Sequence, residues 1–255
     1  MKNIDTFLFD LDGTLLPMDI DEFIGLYFNE IGRELKDLME PKTLVKYIWS
    51  ATEDMIRNTE QRTNEEVFMD SFARFVGENK LDLYRERFDK FYDTAFLKTK
   101  KCIGSTPYMK ESVYILKDKG YQVAVATNPL FPRKAILHRI RWAGFEPEDF
   151  IYISCYEKNC YCKPHKKFYE EVLEDIGKKP EQCMMVGNDV QEDLVAGCLG
   201  IKTYLITDYL IHRTDEPIKC TYKGSYEDFY NFVLDLPEVE AYEDVEYTKR
   251  SLPAW

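Results

Sequence analysis

Hydrophobic positions along this chain change rhythm twice. The run Thr6-Phe7-Leu8-Phe9 is continuously apolar or β-prone and stops at Asp10-Leu11-Asp12-Gly13, the pattern of a buried parallel strand closed by a tight glycine turn. From residue 20 the apolar positions move to helical spacing. Ile20, Phe23, Ile24, Tyr27, Phe28 and Ile31 form one stripe, and Leu44, Tyr47, Ile48, Ala51 and Met55 a second. A third helix follows the capping-box string Thr63-Asn64-Glu65-Glu66 and uses Phe68, Phe72, Phe75 and Val76. The fourth uses Leu81, Tyr84, Phe88, Phe91, Tyr92 and Ala95. Aromatic stripes at this spacing read as core, and four of them can close a small all-helical bundle.

Beyond residue 106 helices and strands alternate. Helices over 108–119, 132–142 and 165–176 precede strands over 121–127, 150–154 and 183–186. A short helix over 194–199 precedes a last clear strand over 203–207, and 226–234 adds a final helix. Such alternation predicts an α/β fold with a parallel sheet and helices on both faces.

Candidate chemistry sits where strands end. Asp10 and Asp12 fall at the carboxyl end of the first strand, the edge at which open α/β sheets bind ligands. Two acids so close repel each other, and a divalent cation is the usual compensation. A plain Asp-Gly turn is the simpler alternative on this string alone. Three further segments weigh against it. Val123-Ala124-Val125-Ala126 closes on Thr127-Asn128. Lys163-Pro164 opens a helical stretch. Met184-Met185-Val186-Gly187-Asn188 runs into Asp189, with Asp193 one helical turn on. Helix N-terminal capping would also account for Asp189 and Asp193.

These four ordered segments resemble the motifs of the haloacid dehalogenase (HAD) superfamily, in its phosphatase form with two aspartates. The resemblance implies a Rossmann-like core (residues 1–18 and 97–235) and a helical cap inserted between the first two motifs (19–96). It makes Asp10 the nucleophile of an aspartyl-phosphate pathway and Asp12 the acid and then the base. Thr127, Asn128 and Lys163 would bind phosphate. Magnesium, a hard ion that takes few carboxylates, would be held by the Asp10 and Asp189 side chains and the Asp12 carbonyl. Asp193 would ligate it directly or orient a bound water, with Asn188 and Glu192 as alternatives. Lys163, as a strand-end lysine, is expected to carry little of the core. Dehalogenases and phosphonate hydrolases of the superfamily lack the second aspartate, so Asp12 disfavours both. A phosphosugar mutase shares the whole constellation, and a catalytically silent binding module built on the fold is a further alternative.

The bulk numbers narrow the partners. A net charge of -12 argues against nucleic acid and anionic membranes, and requires a local positive pocket for an anionic substrate such as a small phosphorylated metabolite. The early first strand and lack of a long apolar run predict neither a signal peptide nor a membrane span. Seven cysteines without a secretory signal then favour reduced thiols and the cytoplasm. Cys155, Cys160, Cys162 and His165 lie close together but match no usual zinc spacing, so reduced thiols are the simpler reading. Residues 236–255 read as an acidic, solvated tail. The polar stretch 57–62, with Arg57 and Arg62, is the cap's expected reach toward substrate, a solvated loop being the alternative. The sequence leaves the substrate and the oligomeric state open.

Overall fold

The computed structural model describes residues 3–239. The expected acidic tail lies, beyond Val239, outside the described residues; before that point Leu236 is buried and the Val239 N–H donates to the Lys119 carbonyl at 2.8 Å.

Five parallel strands make the sheet: β1 (Thr6–Phe9), β2 (Gln122–Val125), β3 (Cys183–Gly187), β4 (Lys202–Ile206) and β5 (Tyr222–Gly224), in the order β2-β1-β3-β4-β5. β1 lies between β2 and β3, with Phe9 opposite Val125 on one side and Val186 on the other. Alternation sends Phe7 and Phe9 to one face and Leu8 to the other. They accordingly join two separate apolar clusters, Phe7 and Phe9 with Val123, Met184 and Phe229, and Leu8 with Ala124, Phe168 and Met185. Helices α5 (Pro107–Asp118) and α8 (Tyr226–Leu234) pack on each other, and both contribute to the Phe7 cluster; α7 (Lys166–Ile176) supplies the other.

Two sheet details differ from the sequence reading. Residues 150–154 form no regular strand; they run along the outer edge of β2 through one parallel bridge, Val125 to Ile153. The edge strand β5 carries no apolar run, and Tyr222 and Lys223 are exposed, so periodicity gives it no signal.

Between β1 and β2 the chain inserts helices α1 (Ile20–Glu34), α2 (Pro41–Arg57), α3 (Asn64–Val76) and α4 (Glu78–Asp93), then a 3-10 segment, Ala95–Cys102. The capping box of α3 forms as expected, the Glu66 N–H donating to Thr63 Oγ1 at 3.2 Å and the Thr63 N–H to Glu66 Oε2 at 2.9 Å. Aromatic rings close the insert. Tyr27 meets Phe91 edge-on at 5.6 Å, and Phe96 meets Phe91 at 6.1 Å and Tyr92 at 5.3 Å. Each such pair contributes about 0.5–1.5 kcal/mol beyond its buried area. Because Phe96 belongs to this cluster, the 3-10 segment packs with the insert. The two chain crossings run side by side, Met18 bridging Ile103 and the Gly104 N–H donating to the Pro17 carbonyl at 2.8 Å. Among the described residues no helix is long and apolar enough to cross a membrane.

Candidate active site

Parallel strands end together, and here the ends of β1, β2 and β3 bring the four motifs to one edge. Past β1 the Asp10 N–H still donates to the Val186 carbonyl at 2.9 Å, which fixes the Asp10 backbone against β3. The chain then turns at Gly13, whose φ of +78° suits glycine. A Cβ there would also lie 2.3 Å from Asn188 Nδ2. Asn188 ties the motif loops together. Its Oδ1 accepts from Thr14 Oγ1 at 2.9 Å, and its Nδ2 donates to the Tyr209 carbonyl at 2.6 Å. The Tyr226 hydroxyl completes the turn by donating to the Gly13 carbonyl at 2.7 Å.

Lys163 is the hub. Its side chain is fully buried, and Nζ donates to Asp10 Oδ1 at 2.9 Å and to Asp193 Oδ1 at 2.7 Å. The expectation that it carries little of the core is therefore corrected: the loop before α7 points this lysine inward, between two acids. Burial alone would lower its pKa, but the Asp10 and Asp193 carboxylates outweigh that and hold it well above the ordinary lysine value. Burial pushes Asp10 up to about 6, with Lys163 opposing and Asp12 adding repulsion. Burial likewise pushes Asp193 up to about 7 against the pull of Lys163. Asp193 Oδ2 accepts from the Asp189 N–H at 2.9 Å, so both its oxygens are engaged. Gly187 is required by that approach, since a Cβ would sit 2.1 Å from Asp193 Oδ2.

The second motif closes over the lysine. Thr127 is buried just past β2. Asn128 accepts from the Lys163 N–H through Oδ1 at 3.2 Å and donates through Nδ2 to Glu192 Oε2 at 2.9 Å. Burial, and after it the Asp189 charge, pushes Glu192 up to about 7.

Asp12 stands apart from Lys163. Its Oδ2 accepts from Nη1 of Arg139, a wholly buried residue of α6 (Arg133–Trp142), and its Oδ1 has no partner among the described residues. Arg213, half-exposed beyond β4, pairs with Asp189 Oδ2 at 2.6 Å and approaches Glu192 at 3.6 Å. The sequence reading missed both arginines. For Arg139 a signal existed: it interrupts the apolar face made by Ala135, Ile136 and Ile140. Arg213 offered none.

The donors available to a cation are hard oxygens. Five carboxylates (Asp10, Asp12, Asp189, Glu192, Asp193) face three basic side chains (Lys163, Arg139, Arg213), leaving two formal negative charges. A divalent ion of magnesium type suits that excess and that chemistry. Among the described residues no three acidic, histidine or cysteine side chains already converge on one point. Two carboxylates with a main-chain carbonyl do not require such convergence. The Cys155, Cys160, Cys162 and His165 group does not form a centre either. Cys155 and Cys162 are buried, burial raises all three thiols, and His165 Nδ1 caps α7 by accepting from the Lys167 N–H at 3.3 Å.

The 57–62 stretch is not brought into the site. Arg57 pairs with Glu53 at 3.2 Å and Arg62 with Asp70, both at the surface. The turn instead clasps the loop that leads to Lys163. Asn58 Nδ2 donates to the Cys160 carbonyl at 3.0 Å, and the Asn64 N–H to the Asn159 carbonyl at 2.8 Å.

Comparison with known proteins bears on the family and the fold. The description of the haloacid dehalogenase-like hydrolases matches residues 4–197. The chain is similar to the pyrophosphatase PpaX of Bacillus cereus (strain AH820), 24% identical over 205 residues, covering 80% of this chain and 83% of that one. In fold it is similar to a HAD phosphatase from Thermococcus onnurineus, with a TM-score of 0.57 and 18% identity over 92% of this chain and 100% of that one. It is also similar to YfnB from Bacillus subtilis, whose structure holds magnesium and reveals interdomain movement (TM-score 0.56, 18% identity, 91% of this chain and 99% of that one).

Proposed function

This chain belongs to the haloacid dehalogenase-like hydrolases, and from that premise we propose that it is a magnesium-dependent phosphatase of small phosphorylated metabolites. The observation that carries this reading is the buried Lys163 ammonium held against Asp10, with a second acid, Asp12, whose Oδ1 is buried and has no hydrogen-bond partner among the described residues. Asp10 attacks phosphorus and becomes an aspartyl-phosphate while the leaving oxygen takes a proton from Asp12. Asp12 then accepts a proton from the water that cleaves this intermediate. Lys163, Thr127 and Asn128 hold the phosphoryl oxygens as charge develops on them. Asp10, Asp189 and the Asp12 carbonyl would hold the metal, which supplies the positive charge that lets a phosphate dianion approach a carboxylate. We assign Asp193 to holding Lys163, since its Oδ1 accepts from the ammonium at 2.7 Å while its Oδ2 accepts from the Asp189 N–H at 2.9 Å.

The helices between the two chain crossings at Met18 and Ile103 serve as the cap in this reading, residues 19–102, with the core on either side. The second boundary moves from 96 to 102 because the 3-10 segment Ala95–Cys102 packs on α1 and α4 of the insert. Seven cysteines, none in a disulfide, support a cytoplasmic setting.

A panel of phosphate monoesters, acyl phosphates and inorganic pyrophosphate, assayed for phosphate release with and without magnesium, tests the proposal. Release from at least one class, abolished by excess chelator and poorly restored by calcium, is the expected result. Undiminished release in chelator refutes the metal assignment, and no release from any class refutes the activity.

A further inference from the structure

Arg139 is a costly residue where it stands. Its side chain is among the largest that are wholly buried, and its neighbours on α6 are Ala135, Ile136 and Ile140. Replacing a buried ion pair with apolar side chains is often neutral or stabilising, so stability alone gives little reason for a cation here. Its polar contacts among the described residues are Asp12 Oδ2 and, through Nε at 3.4 Å, the Ala135 carbonyl of its own helix; Nη2 has none. Aromatic rings hold the guanidinium, Phe131 at 4.4 Å from the loop after Asn128 and Phe23 at 5.5 Å from α1. The arginine is therefore positioned by both the core and the helical insert, and its directed charge is spent on Asp12.

We propose that Arg139 is a positioning residue for proton transfer. By binding Oδ2 it fixes the plane of the Asp12 carboxyl and presents Oδ1 to the reacting oxygens. This inference rests on the phosphatase reading above. In the first step the Asp10 oxygen–phosphorus bond forms, and the bond to the leaving oxygen breaks with its electron pair. That oxygen takes the Oδ1 proton. In the second step a water oxygen bonds to phosphorus, the Asp10 carboxylate recovers its electron pair, and Oδ1 receives the water proton. Arg139 keeps its own protons throughout. The stacked rings serve the same end, since a guanidinium free to rotate would let the carboxyl turn and would lose the advantage of fixed orientation.

The test is a double-mutant cycle with kcat and KM measured on glycerol 2-phosphate and p-nitrophenyl phosphate, folding being checked by circular dichroism. Arg139→Met should lower kcat on glycerol 2-phosphate by about 100-fold, the scale of lost proton transfer, with KM little changed. The loss should be smaller on p-nitrophenyl phosphate, whose leaving group needs little protonation. In an Asp12→Asn background the same substitution should change kcat by less than about threefold, because residues acting through one another are not additive. Arg139→Lys, which keeps a cation at the position, should recover part of the loss, and it carries the cycle alone if the methionine variant does not fold. Losses that multiply in the double variant, fall equally on both substrates, or lie in KM overturn the proposal. A wild-type chain that releases no phosphate from either compound or from the wider panel overturns the phosphatase reading, and this inference with it. An active wild type with additive variants overturns this inference alone.

Discussion

Replacing Lys163 by Met probes the centre of the site through stability, independently of any substrate. The methionine fills much of the lysine volume but removes the ammonium that bridges Asp10 at 2.9 Å and Asp193 at 2.7 Å. Removing one partner of a buried ion pair costs about 3–5 kcal/mol, because the remaining charge stays buried. At a urea slope of about 3 kcal/mol per molar, that lowers the unfolding midpoint by about 1–1.7 M. The cost should also depend on pH in metal-free protein kept in chelator. Asp10 and Asp193 already stand near 6 and 7 with the lysine present, chiefly through burial. Without it burial meets less opposition, only the Asp189 N–H still favouring the Asp193 carboxylate, and both move further up. A carboxyl with a higher pKa folded than unfolded binds its proton more tightly in the folded state. Its stabilising contribution is full below the unfolded value, about 4, and is lost as pH rises through the folded one. In the wild type that loss is complete a little above 7; in Lys163→Met it extends higher. The variant should thus be markedly weaker than wild type at pH 8 and much closer to it at pH 5. Urea titrations followed by circular dichroism at the two pH values measure this. Equal midpoints at pH 8, or a deficit that is the same at pH 5, refute the buried-bridge reasoning.

Three other outcomes are expected. Asp10→Asn should form no phosphoenzyme, whereas Asp12→Asn should lose about 10²–10⁴-fold in turnover yet accumulate phosphate on Asp10 with an aryl phosphate; rapid quench and intact-protein mass spectrometry distinguish the two, and phosphate mapped elsewhere refutes the assignment. Gly13→Ala should lose about 1–2 kcal/mol from its left-handed backbone alone and more from the clash with Asn188, read as a lowered melting temperature together with reduced activity. Arg57→Ala, at an exposed pair worth about 0–1 kcal/mol, should leave the rank order of substrates unchanged in a kcat/KM comparison, since the residue turns to Glu53 and away from the site.

The parts of the fold that follow from periodicity were legible. β1, β2, the four inserted helices and β3 are strongly patterned, and the strand ends put Asp10, Thr127 and Asp189 at one edge. What escaped was structure set by neighbours. β5 is three residues at an edge, with two of them exposed, so pairing to β4 and not composition makes it a strand. The Lys163-Pro164 motif marked Lys163 as a phosphate ligand but not as a buried bridge between two acids. Its burial follows from the loop path, fixed by the Lys163 N–H bond to Asn128 and the Tyr169 hydroxyl bond to the Glu192 carbonyl, contacts far apart in sequence. Arg57 and Arg62 looked free to reach a substrate because sequence does not show that Asn58 and Asn64 clamp their turn to the Cys160 and Asn159 carbonyls.

The acidity of the chain and its candidate anionic substrate are reconciled by where the basic groups stand. A surface excess of negative charge is screened over about 8–10 Å at ordinary ionic strength, whereas buried groups interact in a medium of much lower effective dielectric. Lys163 and Arg139 are both buried, Arg139 on the helix that follows β2 and Lys163 in the loop before α7, and both reach the edge where the acids they face stand. Neither is a free cation awaiting phosphate. Lys163 is shared between Asp10 and Asp193, and Arg139 is committed to Asp12. An incoming phosphoryl group must therefore compete with these carboxylates for the lysine, and the two surplus negative charges make that competition unfavourable until a cation joins them. On this account the proposed metal requirement follows from the charge arrangement itself. Neutralising a surplus acid should relax it: Glu192→Gln, which leaves the proposed nucleophile, proton donor and lysine bridge in place, should lower the magnesium concentration needed for half-maximal phosphate release. An increase in that concentration would show instead that Glu192 helps to hold the ion.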